Sequence, residues 1–135
     1  MKKIYSRIQS DQLLHIINRR TEVNDQRLDM TPASESLQVA CMRLENGKKF
    51  RAHKHITNNR TTTITQETWV VIAGKIKAIL YDLDDTILSE EVLSPGDCTI
   101  TFNGGHNYEV LEADSLVYEF KLGPYLGVQT DKVLI

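Results

Sequence analysis

Gly47-Lys48-Lys49-Phe50-Arg51-Ala52-His53-Lys54-His55, followed after a polar spacer by Glu67-Thr68-Trp69-Val70-Val71-Ile72-Ala73-Gly74, decides how the chain is read. A strand sends alternate side chains to opposite faces, so a strand over Phe50 to His55 points His53 and His55 the same way. Two imidazoles on one face can share one metal ion. Glu67 opens a second strand-like run and can bring a carboxylate to the same place. A third histidine, His106, follows the double glycine Gly104-Gly105. Three imidazoles and one carboxylate suit one divalent Zn, Fe, Mn or Ni ion.

Outward from that stretch the chain reads as short strands separated by turn signals. Leu37 to Leu44 reads as a strand, and Glu45-Asn46-Gly47-Lys48 as a turn. Ile56 to Gln66 is polar and threonine-rich, an extended loop or small hairpin over the mouth of the site, with Arg60 near its tip. Glu67 to Ala73 and Lys75 to Tyr81 meet at Gly74. Ile87 to Leu93, Cys98 to Phe102, His106 to Leu111 and Ser115 to Leu122 follow, punctuated by Asp82-Leu83-Asp84-Asp85, Ser94-Pro95-Gly96-Asp97 and Asn103-Gly104-Gly105. Asp82 to Asp85 lack the spacing of a calcium loop and read as a solvated turn. Such a series predicts an all-β antiparallel sandwich or barrel.

The N-terminal part reads differently. Residues 1–9 can form a strand. Ser10 or Asp11 caps a predicted short helix over Gln12 to Arg20, with Leu13, Ile16 and Ile17 on its apolar side and His15 at the surface. Thr21 to Ser36 reads as an irregular connection. The organisation is a single domain: residues 1–36 packing on a barrel, the barrel at 37–125, and a tail at 126–135.

Net charge is −2 over 135 residues, which gives no reason to expect nucleic acid or an anionic membrane as partner. No apolar run approaches a membrane span, and the basic N-terminus lacks a signal peptide's apolar core. Cys41 and Cys98 read as free buried thiols of a reducing cytoplasm.

Gly47, His53-x-His55, Glu67 and Gly74 together resemble the first motif of the cupin superfamily, with a longer spacer between His55 and Glu67. Gly96, Phe102 where the pattern has proline, Gly104 and His106 resemble its second motif, tighter by one residue and with Val110 at the usual asparagine. The run Glu119 to Tyr125 with Asp131-Lys132 resembles the ending of small WbuC-type cupin fold metalloproteins of O-antigen gene clusters. This resemblance implies a cupin-type jelly-roll barrel with His53, His55, Glu67 and His106 as metal ligands, and a homodimer. It implies action on a sugar, sugar nucleotide or related small polar molecule in lipopolysaccharide synthesis. Two other functions stand beside it: a non-catalytic ligand-binding module with a structural metal, and a metal-free sugar-nucleotide epimerase using a histidine acid–base pair. Whether a metal would serve isomerisation, water activation or dioxygen chemistry stays open, and no separate nucleophile motif occurs.

Substrate contacts follow from parity. Arg51 shares a face with His53 and His55 and can reach an anionic group; the rival reading is an arginine on the rim. Tyr108 shares a face with His106 and can offer its phenol to substrate; the rival is a core tyrosine with a satisfied hydroxyl. Trp69 shares a face with Glu67 and reads as core.

Overall fold

Leu13-Leu14-His15-Ile16-Ile17-Asn18 lies at the heart of the molecule, and it is a strand. The computed structural model describes residues 1–135. This strand, β2 (Leu13–Asn18), pairs antiparallel with β1 (Lys2–Tyr5) on one side and with β8 (Cys98–Thr101) on the other. β5 (Glu67–Ala73) and β10 (Leu116–Lys121) extend the sheet to the order β1-β2-β8-β5-β10. A second sheet, in the order β7-β6-β9, consists of β7 (Ile87–Leu93), β6 (Ile76–Tyr81) and β9 (His106–Val110). A ribbon of β3 (Arg27–Asp29) and β4 (Ala40–Met42) completes the architecture. Every pairing is antiparallel.

Two apolar layers hold these pieces together. Ile4, Ile17 and Val71 of the large sheet meet Ile76, Ala78, Leu80 and Leu93 of the small one. On the other face of the large sheet, Ile16, Cys98, Ile100 and Phe102 pack with Met30, and Leu28, Val39 and Cys41 of the ribbon region lie against them. The central strands β2 and β8 are therefore covered on both faces, and all four residues of β8 are buried. Burial also pushes the Cys98 thiol up to about 12, so it remains a protonated packing group. Neither cysteine is in a disulfide.

This double cover explains why the predicted N-terminal helix does not exist. A continuous apolar run fits a buried helix face or a strand packed on both sides, and Ile16 and Ile17 are β-branched. The only helical turns are a 3-10 turn at Arg20–Glu22 and a short α1 (Val128–Asp131). Part of the predicted irregular connection is β3, and the predicted strand over Leu37 to Leu44 shortens to Ala40–Met42. The predicted strand over Phe50 to His55 is absent, and residues 43–66 join no ladder. Apart from Phe50 and Ala52, Lys48 to His55 is all lysine, arginine and histidine, with little to bury.

His15, expected at the surface, is completely buried. Nδ1 lies 3.1 Å from Thr101 Oγ1, and Nε2 lies 2.9 Å from the Tyr81 carbonyl oxygen. A carbonyl only accepts, so Nε2–H donates to it and Nδ1 accepts from the threonine hydroxyl, which fixes a neutral tautomer. Burial, chiefly, lowers its pKa from 6.5 to about 4; His106 nearby acts in the same direction, while the Tyr81 carbonyl and Asp82 oppose it. The folded-state pKa is depressed. Its contribution to stability is thus fully present above pH 6.5 and lost as the pH falls toward 4, by roughly 3 kcal/mol. Urea denaturation between pH 7 and pH 4 should show His15→Gln less stable than wild type at neutral pH but with a flatter pH slope. Equal slopes would show that His15 does not titrate in this window.

Candidate metal and ligand site

One cross-strand row of the large sheet builds the floor of the site. His15 stands opposite Thr101, Thr101 opposite Glu67, and Glu67 opposite Lys121. The next row is Ile17, Thr99 and Trp69. From the facing sheet, β9 sets His106 opposite Leu80 and Tyr108 opposite Ala78. Its alternation leaves His106 and Tyr108 partly buried and Asn107 and Glu109 exposed. Gly104 makes the delivery of His106 possible. Its φ is +78°, and a Cβ there would lie 2.6 Å from the Tyr81 carbonyl oxygen.

Glu67 and His106 meet across the gap between the sheets. Nε2 of His106 lies 3.2 Å from Oε1 of Glu67, a carboxylate only 5% exposed. The same oxygen accepts a 2.6 Å hydrogen bond from the indole N–H of Trp69. The indole lies flat on the Tyr108 ring, with centroids 3.9 Å apart and planes 11° apart. The Tyr108 hydroxyl shares a 2.7 Å hydrogen bond with Thr99 Oγ1. Both protein contacts of the carboxylate run through Oε1, and Nδ1 of His106 is buried without a hydrogen-bond partner.

The electrostatics favour an ionised glutamate beside a neutral phenol. Burial pushes the Glu67 pKa up. The bond from His106, the charge of His106, the Trp69 N–H and the charge of Lys132 together outweigh it and hold the carboxyl below its usual range. Burial pushes the Tyr108 phenol well above its ordinary value, with Thr99 opposing only in part. The Tyr108 hydroxyl is engaged by Thr99 and its ring by Trp69.

A cavity of about 510 Å³ opens beside the pair. Glu67, Tyr81, Thr101, Asn103 and His106 line it, and the chain from Asp131 to Ile135 runs along its rim. Thr65 Oγ1–H donates a 2.8 Å bond to Asp131 Oδ1, tying the segment before β5 to that tail.

The expected ligands fall into two pairs. Glu67 and His106 are together inside. His53 and His55 lie on the segment 43–66, which is exposed over residues 43–64, their rings edge to face at 5.5 Å, with His53 Nδ1 bonded 3.0 Å from the Arg51 carbonyl. Arg51 shares that exposed segment and is not at the cavity. No three His, Cys, Asp or Glu side chains converge within reach of one metal ion. The metal set fits in half. Two donors bonded to one ion at about 2.1 Å sit roughly 3.0–3.4 Å apart for octahedral to tetrahedral angles, and the Glu67–His106 separation of 3.2 Å matches that span. His53 and His55, as arranged, do not complete it. His15 adds nothing, because both its nitrogens are already bonded. It, Thr99 and Thr101 are interior polar residues that reading the sequence missed, and Asp82, read as part of a solvated turn, is buried as well and accepts from Ser6 and from the Arg7 and Leu83 N–H groups.

Removing the Glu67 carboxylate strands the Trp69 N–H and the His106 ring together. Glu67→Ala should cost about 1–3 kcal/mol of unfolding free energy, and Glu67→Gln, which keeps an acceptor for Trp69, less. Chemical denaturation followed by far-ultraviolet circular dichroism measures both. A Glu67→Ala protein as stable as wild type would mean that the three side chains are not joined in solution.

No family model matches the chain, and neither a curated protein nor a solved structure does; what the pair can do follows from its own geometry and chemistry.

Proposed function

We propose that this chain is a cupin-type protein of the cytoplasm that holds a small polar molecule, of the sugar or sugar-nucleotide class, in the cavity beside Glu67 and His106. The observation that carries the proposal is this pair itself. A carboxylate and an imidazole from facing sheets meet in a nearly dry wall, at a spacing suited to joint donation, next to a cavity the size of a small ligand. The proposal includes one divalent ion, Zn, Fe, Mn or Ni, on Glu67 and His106, completed by His53 and His55 once the segment 43–66 carries them to the cavity. The resemblance in the His-x-His and Glu67 motif supports that part, as does the exposure of both histidines on a segment that no ladder holds. Arg51 would travel with them and reach an anionic substrate group, and Tyr108 would keep the indole and the carboxylate in place. Surface polysaccharide synthesis is the setting that the C-terminal resemblance suggests.

A second reading has its own support. Glu67 and His106 are bonded to each other, and no third ligand is beside them. Such a pair works as a metal-free acid–base couple: the ionised glutamate orients the imidazole through Nε2, and the imidazole moves a proton to or from a sugar.

Metal content separates the two. After reloading with Zn, Fe, Mn and Ni in turn, the wild type should hold one ion per chain. His53→Ala and His106→Ala should lose most of it, and His15→Gln should keep it. Retention should fall in acid as the imidazoles take up protons. Folded His53→Ala and His106→Ala proteins with full metal would end the four-ligand assignment. A metal-free wild type that turns over a sugar nucleotide, and a His106→Ala protein that does not, would establish the acid–base couple instead.

A further inference from the structure

β10 ends the large sheet, and no strand pairs with its outer edge. Its even-numbered residues Leu116, Tyr118 and Phe120 are 49%, 56% and 52% exposed, and Ile72 on the adjacent strand is 40% exposed. The ribbon that covers this face of the sheet packs over Ile16, Cys98 and Ile100 and leaves these four side chains about half exposed. At the opposite edge, β1 carries Lys2 and Lys3, the usual protection of an edge strand. The β10 edge has no such lysine pair.

Hydrogen-bond parity shows which backbone groups the edge offers. The Leu122 N–H donates to the Gln66 carbonyl, one step beyond the ladder that pairs Lys121 with Glu67. Ladder bonds in an antiparallel pair fall on alternate residues, so Phe120 and Tyr118 also face β5. The N–H and C=O groups of Val117, Glu119 and Lys121 therefore point away from the sheet. None of the hydrogen bonds outside the ladders uses them. These groups, unpaired within the chain and flanked by an exposed aromatic stripe, are a template for another strand.

We propose that the missing strand is β10 of a second copy, paired antiparallel about a two-fold axis at Phe120. The charges choose the occupant and the register. With Phe120 opposite itself, Glu119 falls opposite Lys121 of the partner subunit, and Lys121 opposite Glu119 of the partner subunit. These are the hydrogen-bonded positions, so two reciprocal opposite-charge pairs form with the new ladder. A register centred on Glu119 sets two glutamates face to face, and one centred on Lys121 sets two lysines face to face. The Phe120 register also lets each Tyr118 and Phe120 cover the other copy's stripe, and it is closed and self-complementary, as a two-fold interface requires. This dimer does not depend on the metal or on the ligand.

Sedimentation across the micromolar range should give twice the chain mass for the wild type. Glu119→Lys and Lys121→Glu should each weaken the dimer roughly tenfold or more, because each puts like charges opposite one another at two places. The double swap Glu119→Lys with Lys121→Glu should restore it. Register is read by oxidative crosslinking. Phe120→Cys should form a disulfide-linked dimer, since its α-carbons face each other in a non-hydrogen-bonded pair at about 4.5 Å. Tyr118→Cys should not, because its copies are offset by four residues, about 13 Å along the strand. Glu119 and Phe120 are exposed, so the single variants at these two positions decide the matter even if Lys121→Glu, which removes the Lys121 contact with the Tyr125 ring, folds poorly. A monomeric wild type, a dimer indifferent to Glu119→Lys, or crosslinking at Tyr118 in place of Phe120 would each overturn the proposal.

Discussion

Burial of β2 and β8 on both faces is the constraint from which the rest follows. A strand with water on one side can carry polar residues freely; one packed between two apolar layers cannot. The polar side chains of these strands turn to partners within the protein, Oδ1 of Asn18 being an exception. Thr99 bonds Tyr108, Thr101 bonds His15, and His15 reaches across to the Tyr81 carbonyl of the facing sheet. These bonds fix how the small sheet sits on the large one, and hence where β9 delivers His106.

The site takes its character from that confinement. Glu67 is the first residue of β5, close enough to the cavity to meet a ligand and far enough inside to lack water. An ionised carboxylate survives there only because its partners are already aimed at it, Trp69 from two residues along the same strand and His106 from the opposite sheet. Such an arrangement is preorganised: little must move for Glu67 to hold a cation or an imidazolium. The segment that carries His53 and His55 is the opposite case. It makes no ladder and buries few side chains, so a small free energy suffices to move it.

Much of the fold was legible in the sequence where one face of a strand is wet. Lys75 to Tyr81 alternates Ile76, Ala78 and Leu80 with Lys75, Lys77 and Ile79, and Ser94-Pro95-Gly96-Asp97 marks the turn into β8; these elements form where the pattern puts them. Glu67, Trp69 and Val71 likewise share the inner face that alternation assigns them, and His106 arrives beside Glu67. Legibility failed where both faces are dry, because Leu13 to Ile17 carries no alternation to read and its helical spacing is accidental. It failed again at Phe50 to His55, where the place in the strand series and the spacing of the two histidines suggested a strand but the residues supply almost no apolar surface to pack. His15 was missed for the first reason: in an unbroken apolar run, a single histidine gives no sign of which wall it faces.

Trp69 is the only tryptophan in the chain. Its ring is stacked on Tyr108 and its N–H is bound to the carboxylate of Glu67. All indole emission thus originates one hydrogen bond from the candidate site, and the near-ultraviolet dichroism of the stacked indole and phenol reports the same place. The molecule carries its own optical label, in which a change in the charge or occupancy of Glu67 appears as a change in colour and intensity without any added dye.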